Sequence, residues 1–212
     1  MKNSTKKFIK FAIDQDILKF GEFKTKAGRL SPYFFNLGLI NNGQSLKKIG
    51  EFFAEFIHNN NLSFDLLYGP AYKGISLVSS TSIALTQFNK NIPFAFNRKE
   101  IKDHGEGGQI IGHPIEGNVL ILDDVISAGT SIRESVDIIK SNGGNPSGIV
   151  VAIDRQEKGK ANLTAIDEVK KELHVNVYSL ITLTDVINYL SEDEKYSNFL
   201  PQVQTYREMY GA

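Results

Sequence analysis

VLILDDVISAGTS, residues 119–131, is the stretch that decides how this chain is read. Val119, Leu120, Ile121 and Leu122 form an unbroken apolar run, the pattern of a strand covered on both faces in a parallel sheet. The run delivers two adjacent carboxylates, Asp123 and Asp124. A turn of small and hydroxylated residues follows (Ser127, Ala128, Gly129, Thr130, Ser131) and opens a helix. Such a turn presents backbone N–H groups and partial positive charge, which suits a phosphate monoester. No lysine or arginine lies between Val119 and Ile132, so amides and hydroxyls alone would hold the phosphate, unlike a P-loop with its lysine. A carboxylate beside a phosphate cradle suits vicinal hydroxyls, as in dinucleotide folds. The combination spells ribose 5-phosphate. A capped strand–turn–helix with solvated aspartates, or a flavodoxin-like phosphate loop, is the other way to read the same residues.

Outward from this strand, apolar runs alternate with helical periodicities. Strands are expected at 66–68, 93–97, 149–153 and 175–183, and helices at 74–86, 130–141, 163–173 and 185–190. That alternation predicts an α/β domain with a central, mostly parallel sheet flanked by helices, its ligand beyond the carboxyl ends of the strands. Upstream, Ile49, Phe52, Phe53, Phe56 and Ile57 recur at helical spacing after Ser45, a candidate N-cap. Phe8, Phe11, Ala12 and Leu18 share a helical face, with Gly21 expected to stop that helix. The reading is one domain: helix plus hood over residues 1–40, core over 41–190, and a tail over 191–212 without functional signal.

Lys+Arg and Asp+Glu each number 24, so a neutral chain has no general attraction for nucleic acid or anionic membrane, and any anion site must be local. There is no cysteine, which excludes disulfides, thiolate catalysis, Fe–S clusters and Cys-based zinc sites. Lys10, Asp14 and Asp16 interrupt the N-terminal segment, which therefore does not read as a signal peptide. The apolar runs fall short of the ~20 residues of a membrane span. No membrane or nucleic-acid partner and a cytoplasmic location are expected.

Two further strand ends carry unusual sequences. In YGPAYKGI, residues 68–75, Gly69 and Gly74 permit a turn and Lys73 brings a cation. In FNRKEIKDHGEGGQIIG, residues 96–112, Arg98, Lys99, Lys102 and His104 crowd onto a segment whose second half holds Gly105, Gly107, Gly108 and Gly112. The chain has only five arginines (Arg29, Arg98, Arg133, Arg155 and Arg207), so Arg98 directly after a strand stands out.

Residues 119–131 resemble the phosphoribosyl-pyrophosphate (PRPP) motif of type I phosphoribosyltransferases, a motif that leaves the base open. The loop RKEIKDHGEGG closely matches the catalytic loop of the orotate phosphoribosyltransferase family, and TKAGRLSPYFFN (25–36) and DRQEKG (154–159) resemble its hood and its DRQE segment. Ser127 stands where that family frequently has threonine, and keeps the hydroxyl. The resemblance implies transfer of ribose 5-phosphate from PRPP to orotate, giving orotidine 5′-monophosphate and pyrophosphate. It implies Lys73, Arg98, Lys99, Lys102, His104 and Asp124 as catalytic residues. PRPP would be bound by those residues with Lys26, Tyr72, Asp123, Val125, Ile126, Ser127, Ala128, Gly129, Thr130 and Ser131. Orotate would be bound by Lys26, Phe34, Phe35, Ser127 and Arg155, the arginine facing its carboxylate. Mg²⁺ would be held mainly by PRPP and water, with Asp123 and Asp124 as candidates to reach it through those waters.

The resemblance also implies a homodimer in which the loop over 98–112 serves the neighbouring subunit, and a cis Ala71–Tyr72 peptide. From its clustered cations and glycines, the segment 100–112 is expected to be mobile without ligand and to close on PRPP. The alternatives are a phosphoribosyltransferase for another base and a non-catalytic PRPP-sensing regulator. His58, His113 and His174 are expected on the surface or in loops.

Overall fold

The computed structural model describes residues 1–25, 28–102, 108–159 and 163–212, with the side chains of Ile101 and Lys102 outside the description. Its elements begin with α1 (Asn3–Asp14), β1 (Leu18–Lys24), β2 (Leu30–Phe35), α2 (Gly43–Asn59), β3 (Leu66–Gly69), α3 (Lys73–Leu85), β4 (Phe94–Lys102) and β5 (Gly108–Gly112). They continue with β6 (Asn118–Val125), α4 (Thr130–Ser141), β7 (Asn145–Asp154), α5 (Ala165–Leu173), β8 (Val177–Thr182), α6 (Leu183–Glu192) and α7 (Leu200–Tyr210).

Six strands form one sheet in the order β5-β4-β3-β6-β7-β8, all parallel except the edge strand β5, which runs antiparallel to β4. The mostly parallel sheet expected from the sequence is present. β6 shows why its apolar run is unbroken. Leu120 and Leu122 pack into the cluster formed with α1, α2, α3, α6 and α7, while Val119 and Ile121 pack into the cluster formed with α4 and α5. From β3 the chain steps outward to β4 and β5, then returns to lay β6 on the other side of β3. That reversal opens a crevice at the carboxyl ends of β3 and β6, the place where parallel sheets bind ligands. β1 and β2 make a separate antiparallel hairpin, the expected hood.

Several expectations need correction. The first helix ends at Asp14, four residues before Leu18, because Asp16 takes a left-handed φ of 59°. Leu18 instead begins β1, and Gly21 sits at the bulge where the β1–β2 register shifts between Phe20 and Phe23. The N-cap of α2 is Asn42, whose side chain accepts from the Ser45 amide at 2.9 Å. Ser45 lies inside the first turn, its hydroxyl on the Gln15 side chain. The segment expected as a loop after Asn97 continues as strand: Lys102 pairs with Gly108 and Asn97 with Ile110. Of the segment 100–112 expected to be mobile, residues 103–107 lie outside the described residues. The tail forms α7, which buries Val203 and Tyr206. His58 and His174 are exposed, as expected, His58 stacking on Phe88 and His174 taking a left-handed conformation at the C-cap of α5. Among the described residues no helix is long and apolar enough to cross a membrane.

Candidate active site

β6 carries Asp123 and Asp124 to its carboxyl end, where they are only 6% and 5% exposed. Buried acids must be satisfied by donors, and these two are satisfied differently. Asp123 accepts from the Asp124 amide at 2.8 Å and from the Ser131 hydroxyl at 3.1 Å. Burial, and then the neighbouring Asp124 charge, hold the Asp123 carboxyl well above the usual carboxylate range. Asp124 accepts from the Val125 amide at 2.9 Å and takes the Lys73 ammonium at 2.5 Å. The two sequence motifs, 51 residues apart, thus meet across the crevice as one ion pair.

Beyond the acids the chain turns through Ser127 and Ala128, both exposed, to Gly129. Gly129 has φ 73°, and a Cβ there would lie 2.8 Å from Val169 Cγ2, so both conformation and space ask for glycine. Gly129 is the N-cap of α4, whose first amides have no intrahelical acceptor. Ile126 is buried among α4 and α5 side chains, and Val125 is half-buried, which leaves their backbones as what they offer a ligand. The Ser131 hydroxyl donates to Asp123, joining turn and acid pair. Sequence reading missed the support behind this turn. Arg133 donates to the Ala128 carbonyl at 2.6 Å, while its Nε and Nη2 pair with Glu172 of α5 at 2.6–3.0 Å. An arginine outside the 119–131 window was its only signal.

After β3, Gly69 and Gly74 approach so closely that a Cβ on Gly69 would stand 2.1 Å from the Gly74 carbonyl oxygen. The Ala71–Tyr72 peptide is cis, as expected. Asn97 of β4 accepts from the Ala71 amide at 2.9 Å and ties the loop to the next strand. Tyr72 stands 68% exposed, with the Lys99 ammonium 5.0 Å from its ring centroid. Lys73, Tyr72 and Lys99 are therefore brought together. Arg98 is directed at the Gly108 carbonyl, 3.5 Å away on β5. Lys26, His104 and the Lys102 side chain lie outside the described residues.

Beside the hood, the structure divides the expected Phe pair. Strand alternation sends the Phe35 ring into the core, while Phe34 is partly exposed and stacks on Phe23 at 5.4 Å. Arg155, just past β7, lies with its guanidinium 4.5 Å from the Tyr33 ring centroid. Its Nε and Nη2 donate to Glu157 Oε1 at 2.8 and 2.5 Å, and Tyr206 of α7 donates to the same oxygen at 2.9 Å. Glu157 and Tyr206 were not among the expected site residues. A tyrosine on a tail helix gives no local sign that it reaches a strand end 49 residues earlier.

Asp123 and Asp124 supply the hard oxygen donors that Mg²⁺ takes. The described residues contain no group of three or more His, Cys, Asp or Glu placed to hold a metal. Two neighbouring carboxylates suit a hard cation whose remaining ligands would be substrate oxygens and water.

The phosphoribosyl transferase domain family matches residues 37–181. The chain is 52% identical over 205 residues to an orotate phosphoribosyltransferase of Thiobacillus denitrificans, covering 97% of each. It is 49% identical to one of Yersinia enterocolitica over the full length of both. A crystal structure of orotate phosphoribosyltransferase from Francisella tularensis superposes with a TM-score of 0.86 at 37% identity, covering 97% of this chain and 100% of that one. Likeness of this extent, on a sheet whose strand ends gather the same motifs, makes the chain a member of the orotate phosphoribosyltransferase family, with the type I phosphoribosyltransferase fold.

Proposed function

We propose that the protein transfers the ribose 5-phosphate group of PRPP to orotate, releasing pyrophosphate and forming orotidine 5′-monophosphate for pyrimidine biosynthesis. The observation that carries this reading is the meeting of Lys73 with Asp124 beside a turn whose own residues, 127–131, carry no cationic side chain. It separates a cationic diphosphate end from an acidic sugar end within one crevice.

In this reading the 5-phosphate rests on the amides and hydroxyls of Ser127, Ala128, Gly129, Thr130 and Ser131. Asp123 and Asp124 orient the ribose hydroxyls. The orotate ring nitrogen reacts as its anion, its proton already released to solvent: the bond between the anomeric carbon and the diphosphate breaks, a bond from that carbon to the ring nitrogen forms, and the electron pair of the broken bond leaves with pyrophosphate. Lys73 exchanges Asp124 for that departing anion, joined by Tyr72 and Lys26 and, from the neighbouring subunit's copy of the segment 98–112, by Arg98, Lys99, Lys102 and His104. A preorganised cation at the leaving group lowers the barrier because the charge develops in the transition state. Bound Mg²⁺ would neutralise diphosphate charge, with Asp123 and Asp124 holding it through water. Gripping the unreacting phosphate positions the sugar for attack. Orotate lies against Phe34 and the backbone at Phe35, near Ser127, with Arg155 on its carboxylate. The reading includes a cytoplasmic homodimer in which the segment 98–112 serves the partner's site.

The experiment is orotate consumption, followed by absorbance, with PRPP and Mg²⁺, and its reversal by pyrophosphate. Turnover of orotate but not adenine or hypoxanthine is expected. Turnover of a purine with no orotate reaction would overturn the choice of base. Light scattering should give twice the chain mass, and mixing Lys73→Ala with Lys102→Ala chains should regenerate activity in mixed dimers.

A further inference from the structure

The half-buried cluster beside the hood holds more than the arginine assigned to the orotate carboxylate. A guanidinium has two edges able to pair with a carboxylate, one formed by Nε and Nη2, the other by Nη1 and Nη2. In Arg155 the first edge is taken by Glu157 Oε1, at 2.8 and 2.5 Å. On the second edge, Nη2 has only a long 3.4 Å contact to Ser31 Oγ, and the Tyr206 hydroxyl also lies beside the guanidinium. Glu157 is itself fixed. Tyr206 donates to its Oε1 at 2.9 Å, and Arg29 faces its Oε2 at 3.7 Å. The Tyr33 ring lies under the Arg155 guanidinium, and Tyr206 meets that ring edge-on with centroids 6.0 Å apart.

We infer that Glu157, anchored by Tyr206, is the positioning residue that holds one edge of Arg155 so that the other meets the substrate carboxylate. This rests on the reading of Arg155 as the orotate contact. The charges agree with it: Arg155 and Arg29 bring two positive groups and Glu157 one negative, so one monocarboxylate neutralises the three side chains. An arginine clamped on one edge and stacked on a ring keeps its planar fork in place, so little freedom is lost on pairing. The C-terminal helix thereby becomes part of base recognition.

The opposite role is distinguishable. If Glu157 were a stand-in that the substrate must displace, its removal would tighten orotate binding; a positioning role predicts weakening. Glu157→Gln should raise the orotate KM about tenfold, the scale of a lost charge-assisted hydrogen bond, with the PRPP KM within about twofold of wild type. Tyr206→Phe keeps the ring and removes the hydroxyl, and should raise the orotate KM about threefold, a weaker hydrogen-bond effect. It also covers the case in which the Glu157 variant fails to fold.

Inhibition by uracil, which lacks the carboxylate, separates positioning from packing. In both variants it should stay near wild type while orotate affinity falls. Equal losses for orotate and uracil, or an unchanged or lowered orotate KM, would overturn the inference. Arg155→Ala serves as the control. If it leaves the orotate KM unchanged, the assignment of Arg155 itself fails. If it raises that KM while Glu157→Gln and Tyr206→Phe do not, only the positioning role fails.

Discussion

Asp123 and Asp124 are neighbours in the chain, yet the fold gives them different surroundings. The Asp123 carboxyl is pushed upward by burial and then by Asp124. Its folded state therefore keeps a proton over a pH range in which the unfolded chain has released it. Stability from this group is greatest in acid, falls as pH rises out of the usual carboxylate range, and levels off above the folded value. Asp123→Asn removes that slope. Its midpoint should match wild type near pH 4 and exceed it at pH 8, while activity falls, as thermal melts and rate assays at both pH values would show. Lys73→Ala should lose on the order of 10²–10³ in kcat, as for other donors to a developing anion, with an unchanged circular dichroism spectrum. A near-normal rate would remove Lys73 from the chemistry. The residue types of the site were legible as a cation after one strand and an acid pair after another. Which acid takes the lysine was not, because the choice is made by β3 and β6 lying side by side.

At the scale of elements, legibility followed the source of each element's stability. β6 and α4 declared themselves because one is covered on both faces and the other has a regular apolar stripe. β5, with the sequence GQIIG, is short and depends on pairing with β4, so nothing local marks it. α7 buries only Val203 and Tyr206 among polar neighbours, too few to show a period. The sequence points to Ser45 as the cap of α2, and the extended backbone at Asn42 places it three residues earlier. The turn after β6 is itself braced by elements far apart in sequence, through Arg133 and the Glu172 of α5. Arg133→Ala should loosen the turn and raise the PRPP KM about tenfold, the scale of a lost charge-assisted hydrogen bond, with kcat and the orotate KM little changed. Steady-state titration of each substrate checks this.

For the whole molecule, the topology does what no single motif can. The chain leaves β3 in one direction and resumes at β6 in the other, so the crevice receives a cation from one side and two acids from the other. The terminal helix then packs against the hood, where Tyr206 of α7 meets Tyr33 of β2. Deleting residues 200–212 uncovers Tyr33 and removes two buried side chains, each worth roughly 1.5–3 kcal/mol. The melting midpoint should fall by roughly 5–10 °C or more, with orotate affinity lost before PRPP affinity in whatever fraction stays folded.

The last residues are stitched to the segment after β7: the Lys158 amide donates to the Tyr210 carbonyl at 2.8 Å, and the Ala212 amide to the Gln156 carbonyl at 3.1 Å. Any peptide fused after Ala212 would emerge within a few residues of Arg155. Purification handles and fluorescent reporters belong on the opposite end, and a loss of turnover in a C-terminally tagged preparation would reflect the tag's placement before it reflected the catalyst.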